Sequence, residues 1–100
     1  MESFSIERVG IPNLDFTGEL IGQSGGPAPR VKIYRTQALK FIGQLNANQK
    51  ISEAQHLDKA PDLINWFKNP YTIPPEAQEA IEDATNHDEV FKAAWNEHVD

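Results

Sequence analysis

Residues 30–45 read RVKIYRTQALKFIGQL, a run in which apolar residues alternate with polar ones on both sides of a short break. Val31 and Ile33 point one way, and Lys32, Tyr34 and Thr36 the other. Leu39, Phe41 and Leu45 then resume the period of two, so the stretch predicts a β-hairpin with its turn near Thr36-Gln37-Ala38. No Asn-Gly or Asp-Gly pair sits at that turn, which leaves its type open. A lone hairpin buries too little surface to stand in water, so the flanking segments must extend it into a sheet and cover a face.

The preceding residues supply strands. Phe4 and Ile6 alternate with Ser5 and Glu7 in a first strand over Ser3–Val9, which the Gly10–Asn13 turn ends. Leu14–Ile21 is a second, with Leu14, Phe16 and Leu20 on one side and Asp15, Thr17 and Glu19 on the other. Gly18 falls within it and marks a bulge or the close approach of another backbone. Three glycines and two prolines make residues 22–29, GQSGGPAP, a loop. After the hairpin, Ile51–Leu57 reads equally as a short strand or an irregular approach to a helix.

Helices follow. Asp58 is the candidate N-cap of one with Ala60, Leu63, Ile64 and Phe67 on its inner face, ending before Asn69-Pro70. A turn over residues 69–73 leads to a second, opened by Pro74-Pro75, with Ala77, Ala80, Ile81 and Ala84 inward. Either Asn86, with Glu89 as a capping box, or Asp88 starts a third, in which Phe91, Ala94, Trp95 and His98 share a face. Strands first and helices after predict a single α+β domain over residues 1–100: an antiparallel sheet of three to four strands with two to three C-terminal helices packed on one face.

Composition narrows the function classes. The chain lacks cysteine, which removes thiolate nucleophiles, disulfides and cysteine-based zinc sites. The start MESFSIERVG carries no export signal and no run of apolar residues suits a membrane, so the expected address is cytoplasmic. Charge is divided unevenly. Residues 1–50 hold six Lys or Arg against four acids, and residues 51–100 hold three lysines against eleven acids. No cofactor is implied. His56, His87 and His98 lack the spacing of metal ligands.

Three constellations could carry function. Glu76, Glu79, Glu82, Asp83, Asp88 and Glu89 are candidate partner-binding residues: an acidic helical surface that steers a basic protein partner, with Trp95 as the desolvated contact. One form of this expectation is a phage or mobile-element protein inhibiting a nucleic-acid-binding partner by presenting phosphate-like carboxylates. The alternative is a nucleic-acid-binding face on the hairpin, where Arg30, Lys32, Arg35 and Lys40 meet phosphates and Tyr34 stacks on a base. Last, Gly22–Gly26 matches G-x-S-x-G, which would make Ser24 a hydrolase nucleophile with Asp58 and His87. Pro27-Ala28-Pro29 and a strand follow where a nucleophile elbow needs a helix, so no catalytic residue is assigned.

The strand F-x-G-E-L-I-G (Phe16–Gly22), the hairpin entered through I-Y-R-T (Ile33–Thr36), the Asp-led helix (Asp58–Lys68) and the Pro-opened helix ending in E-D-A (Pro74–Ala84) resemble the small bacterial proteins related to the EXLDI family. The chain has Ala38-Leu39 where that pattern carries a glycine-containing turn. The resemblance implies this layout of elements and no activity.

Overall fold

The alternation along the central hairpin sorts two apolar sets onto opposite sides of a sheet. The computed structural model describes residues 1–8, 10–68 and 72–95. In it β1 (Glu2–Ile6), β2 (Leu14–Gln23), β3 (Val31–Thr36), β4 (Phe41–Leu45) and β5 (Glu53–Leu57) lie side by side in chain order, every neighbour antiparallel. Helices α1 (Ala60–Phe67), α2 (Pro75–Thr85) and α3 (Glu89–Trp95) follow. The α+β class is as expected, with one more strand. The addition is β5, which pairs with β4 from Phe41↔Leu57 to Leu45↔Glu53.

One face of the sheet packs on the helices. Ile21, Val31, Ile33 and Phe41 meet Leu63 of α1, Ala80 and Ile81 of α2 and Phe91 of α3. A bulge between Leu20 and Gly22 breaks the period of two. It puts Ile21 in this core while Gly22 also lies under α2, where the backbones of strand and helix touch. The inner stripes of α1 and α2 are the ones the spacing predicts: Ala60, Leu63, Ile64 and Phe67, then Ala77, Ala80, Ile81 and Ala84.

The face without helices is also buried. Ile6, Tyr34, Ile42 and Ala54 form a second core, joined by Phe4, Leu14 and Phe16. The rings of Phe4, Phe16 and Tyr34 pack 4.8–5.1 Å apart, centroid to centroid. Curling of the sheet explains this burial. The first half of β2 pairs with β1, from Glu2↔Gly18 to Ile6↔Leu14, and its second half with β3, from Gly18↔Thr36 to Gln23↔Lys32. At the crossover the Arg35 backbone lies against Gly18, leaving no room for a side chain, as a glycine within a strand pattern suggests. The curl brings the end of β1 to the start of β5, where Arg8 and Ser52 form a parallel bridge and the Ser52 N–H donates to the Glu7 carbonyl at 2.9 Å.

The helix starts depart from the expected caps at α1 and decide between the two candidates at α3. Lys59, not Asp58, precedes α1 and offers no side-chain cap, Pro61 presetting the first turn instead; Asp58 pairs with Lys40 at 3.2 Å. Asn86 closes α2, so Asp88 caps α3 by accepting the Phe91 N–H at 2.9 Å. Val9, the turn residues Asn69–Tyr71 and His98 lie outside the described residues. Among the described residues no helix is long and apolar enough to cross a membrane.

Candidate functional site

The three constellations fare differently. On the acidic surface, α2 places Glu76, Glu79, Glu82 and Asp83 along the edge facing the 22–29 loop and uses most of them there. The Gln23 N–H donates to Asp83 at 3.0 Å, the Gly25 N–H to Glu79 at 3.1 Å, and Arg30 pairs with Glu76 at 3.4 Å. Glu82 accepts a bond from Gln78, one turn before it. These carboxylates pin the glycine-rich loop to the helix. Asp88 is not on the surface at all: its side chain is 0% exposed, holding Arg35 at 2.6 Å as it caps α3. Trp95 is half-buried against the main core, and Glu89 is exposed in the first turn of α3.

The basic hairpin face comes apart because alternate residues of a strand point to opposite sides. Arg35 is on the helix side, bonded to Glu19 as well as Asp88. Arg30 is held by Glu76 and Lys40 by Asp58. Tyr34 is 5% exposed in the second core, its hydroxyl donating to Gln44 Oε1 at 2.9 Å. Gln44 Nε2 donates in turn to Ser52 Oγ, which donates to the Asn46 carbonyl. A ring in that position cannot stack on a base.

Burial also pushes the Tyr34 phenol up from 10.0 to about 12. A raised native value means that the folded protein keeps this proton after the unfolded chain has lost it. The stabilisation is therefore complete below pH 10 and disappears as pH rises to about 12, by roughly 2–3 kcal/mol. Urea unfolding across that range should show this slope, and Tyr34→Phe should flatten it.

Ser24 is a staple. It is 4% exposed, and its oxygen accepts the N–H groups of Arg30 at 3.0 Å and Val31 at 3.1 Å, closing the base of the loop. Asp58 is paired with Lys40 on the hairpin, and the His87 ring bonds the Asp83 carbonyl at 2.8 Å, so the triad drawn from sequence is not assembled. Ser24→Ala should cost about 2 kcal/mol in urea unfolding, since the buried Val31 N–H and the part-buried Arg30 N–H lose their acceptor, and should leave background ester turnover unchanged.

What the sequence reading did not single out is a cleft on the curled face. It encloses about 520 Å³ between the first half of β2 and the β3–β4 turn. Leu14, Phe16 and the buried Ile42 give it apolar walls, with Thr36, Lys40 and His56 among its polar residues. A hollow that sets apolar walls beside polar groups can bind a partner's side chains.

Beside it the hairpin turn carries an anomaly. Leu39 N–H donates to the Thr36 carbonyl at 2.9 Å and Thr36 N–H to the Lys40 carbonyl at 2.8 Å, while Leu39 has φ 63°. This is the three-residue hairpin loop whose last position is left-handed and is normally glycine. Asn46 takes the same conformation at φ 58°, but asparagine tolerates it. Leucine there costs about 1 kcal/mol, and its side chain, 68% exposed, recovers little of that within the molecule. The only trace in sequence is the missing glycine at the turn.

No protein-family model, curated protein or solved structure matches the chain.

Proposed function

We propose that this protein is a non-enzymatic binding module that contacts another protein through the curled face, with Leu39 as the projecting anchor and the neighbouring cleft as the receiving surface. The observation that carries this reading is the strained, exposed leucine beside a cleft that Leu14, Phe16 and Ile42 help to line. Scattered exposed apolar residues need no explanation. One held in a conformation that glycine adopts freely costs the fold stability, as strained residues at contact sites do.

A second reading keeps the acidic face of α2 as a steering surface for a basic partner. It is favoured by the bonds to Glu79 and Asp83, which come from neutral backbone N–H groups and leave the carboxylate charge in place. Inhibition of a nucleic-acid-binding protein, by phosphate mimicry, belongs to this second reading.

The two surfaces lie on opposite sides of the sheet, so one experiment separates them. A photoreactive residue introduced at Leu39 should give cross-linked adducts with protein in host extract, and the same residue at Glu82 should give none. Adducts at Glu82 alone would transfer the contact to α2.

The first reading also makes a prediction about stability. Leu39→Gly should raise the free energy of unfolding by about 1 kcal/mol and the thermal midpoint by roughly 4–8 °C. Calorimetry would check both.

A further inference from the structure

We propose that the outer edge of β5 is a further contact surface, separate from the curled face, and that it takes an extended peptide of a partner protein as an added strand. Glu53, Gln55 and Leu57 stand opposite Leu45, Gly43 and Phe41 of β4. The carbonyls of the two residues between them are met from elsewhere: Arg8 Nη1 donates to that of Ala54 at 3.4 Å and Gln55 Nε2 to that of His56 at 3.3 Å. The backbone groups of Ala54 and His56 therefore face away from β4, as the alternation of an antiparallel ladder requires. Ser52 faces the same way and reaches the Glu7 carbonyl, but past this bridge the chain turns off at Gly10 and Ile11. Beyond Ser52 no main-chain partner meets this edge among the described residues. The two carbonyl bonds are long and come from side chains, which an incoming backbone N–H displaces at small cost.

The edge and its walls select the occupant. N–H groups and carbonyls alternate along Ala54 and His56, and an extended backbone is their complement. A groove of about 480 Å³ runs beside them, lined by Ile11 and Trp66 as well as Arg8. Trp66 lies against Gly43, the β4 partner of Gln55, and Ile11 is 53% exposed, so an apolar side chain of the added strand has two surfaces to meet. Arg8 selects a carboxylate on the peptide. Its guanidinium is bonded to the neutral carbonyls of Pro12 and Ala54, and no acid pairs with it among the described residues. Glu53, the acid of the groove, alternates onto the helix side of the sheet with Leu57. A second copy is disfavoured as the occupant because it would bring two chains of net charge −6 together, each with its Glu53 at the seam.

The test pans a random library of short peptides displayed on phage against the purified chain, then titrates an enriched peptide against the wild type and variants. Enriched sequences should carry a large apolar residue and an acid. His56→Pro should weaken binding at least about tenfold, because it deletes one outward N–H, whereas His56→Ala keeps that N–H and should bind as the wild type does. Proline is tolerated on an edge strand where the N–H faces outward, and amide hydrogen exchange adds a readout that needs no variant. In the free chain the Ala54 and His56 amides should exchange much faster than that of Gln55, and saturating peptide should slow them at least about tenfold. A peptide bound equally by His56→Pro and the wild type, or bound without slowing those two amides, overturns the proposal, and so does panning that enriches nothing. Ala54 and His56 amides already protected in the free chain, more so at higher concentration, would give the edge to a second copy instead. Loss of peptide binding in Leu39→Gly would move the site to the curled face and equally overturn the edge.

Discussion

Gly22→Ala is expected to destabilise the fold by about 3 kcal/mol, lowering the thermal midpoint by roughly 12–24 °C. A methyl group there would stand 2.7 Å from the Ala84 nitrogen and closer still to the Ala80 carbonyl oxygen. Both are backbone atoms within α2, so relief requires the helix to lift off the sheet, opening the core around Ile81 and Ile21. Gly43 makes the control. A methyl at that position would meet Leu63 Cδ1 at 2.6 Å and the Trp66 ring at 2.7 Å, the far ends of side chains that can turn aside. Gly43→Ala should cost only about 1 kcal/mol. Urea unfolding of the two variants side by side reads the difference, and equal losses would mean that α2 is not seated on the bulge.

Asp88→Ala should cost a similar amount, about 3 kcal/mol. The carboxylate serves two elements at once, capping α3 at the Phe91 N–H and meeting the Arg35 guanidinium from β3. Removing it leaves α3 uncapped and Arg35 with Glu19 as its remaining ion-pair partner, while Arg35 Nε already lacks an acceptor among the described residues. Asp88→Asn keeps an oxygen for the cap and gives up the charge, so it should recover part of the loss. Chemical unfolding of both variants separates the cap from the ion pair. No difference between them would assign the whole effect to the ion pair.

The sequence made the central hairpin and the inner faces of α1 and α2 legible because each is a local period with a local reason. It left β5 undecided, since EAQHL is poor in β-branched and aromatic residues and becomes a strand only by lying against β4. It did not show that both faces of the sheet are buried. Leu14 and Phe16 alternate visibly, but their cover comes from the curl at Gly18 and the bridge between Arg8 and Ser52, contacts set by tertiary structure. The candidate sites were misread for related reasons. Adjacent letters suggested one basic face where Tyr34 and Arg35 point apart, and carboxylates that looked free are bonded to backbone groups more than fifty positions away. Asp88 illustrates both sides: its capping role could be read from its place before the helix, and its burial against Arg35 could not.

The proposed contact surface can be tested through Leu39 in competition. With the photoreactive probe at position 39, unlabelled wild-type protein should suppress adduct formation, and Leu39→Gly protein should need at least about tenfold higher concentration to do the same, although it is the more stable of the two. Equal suppression by both proteins would contradict the account, because it would mean that the strained leucine takes no part in binding.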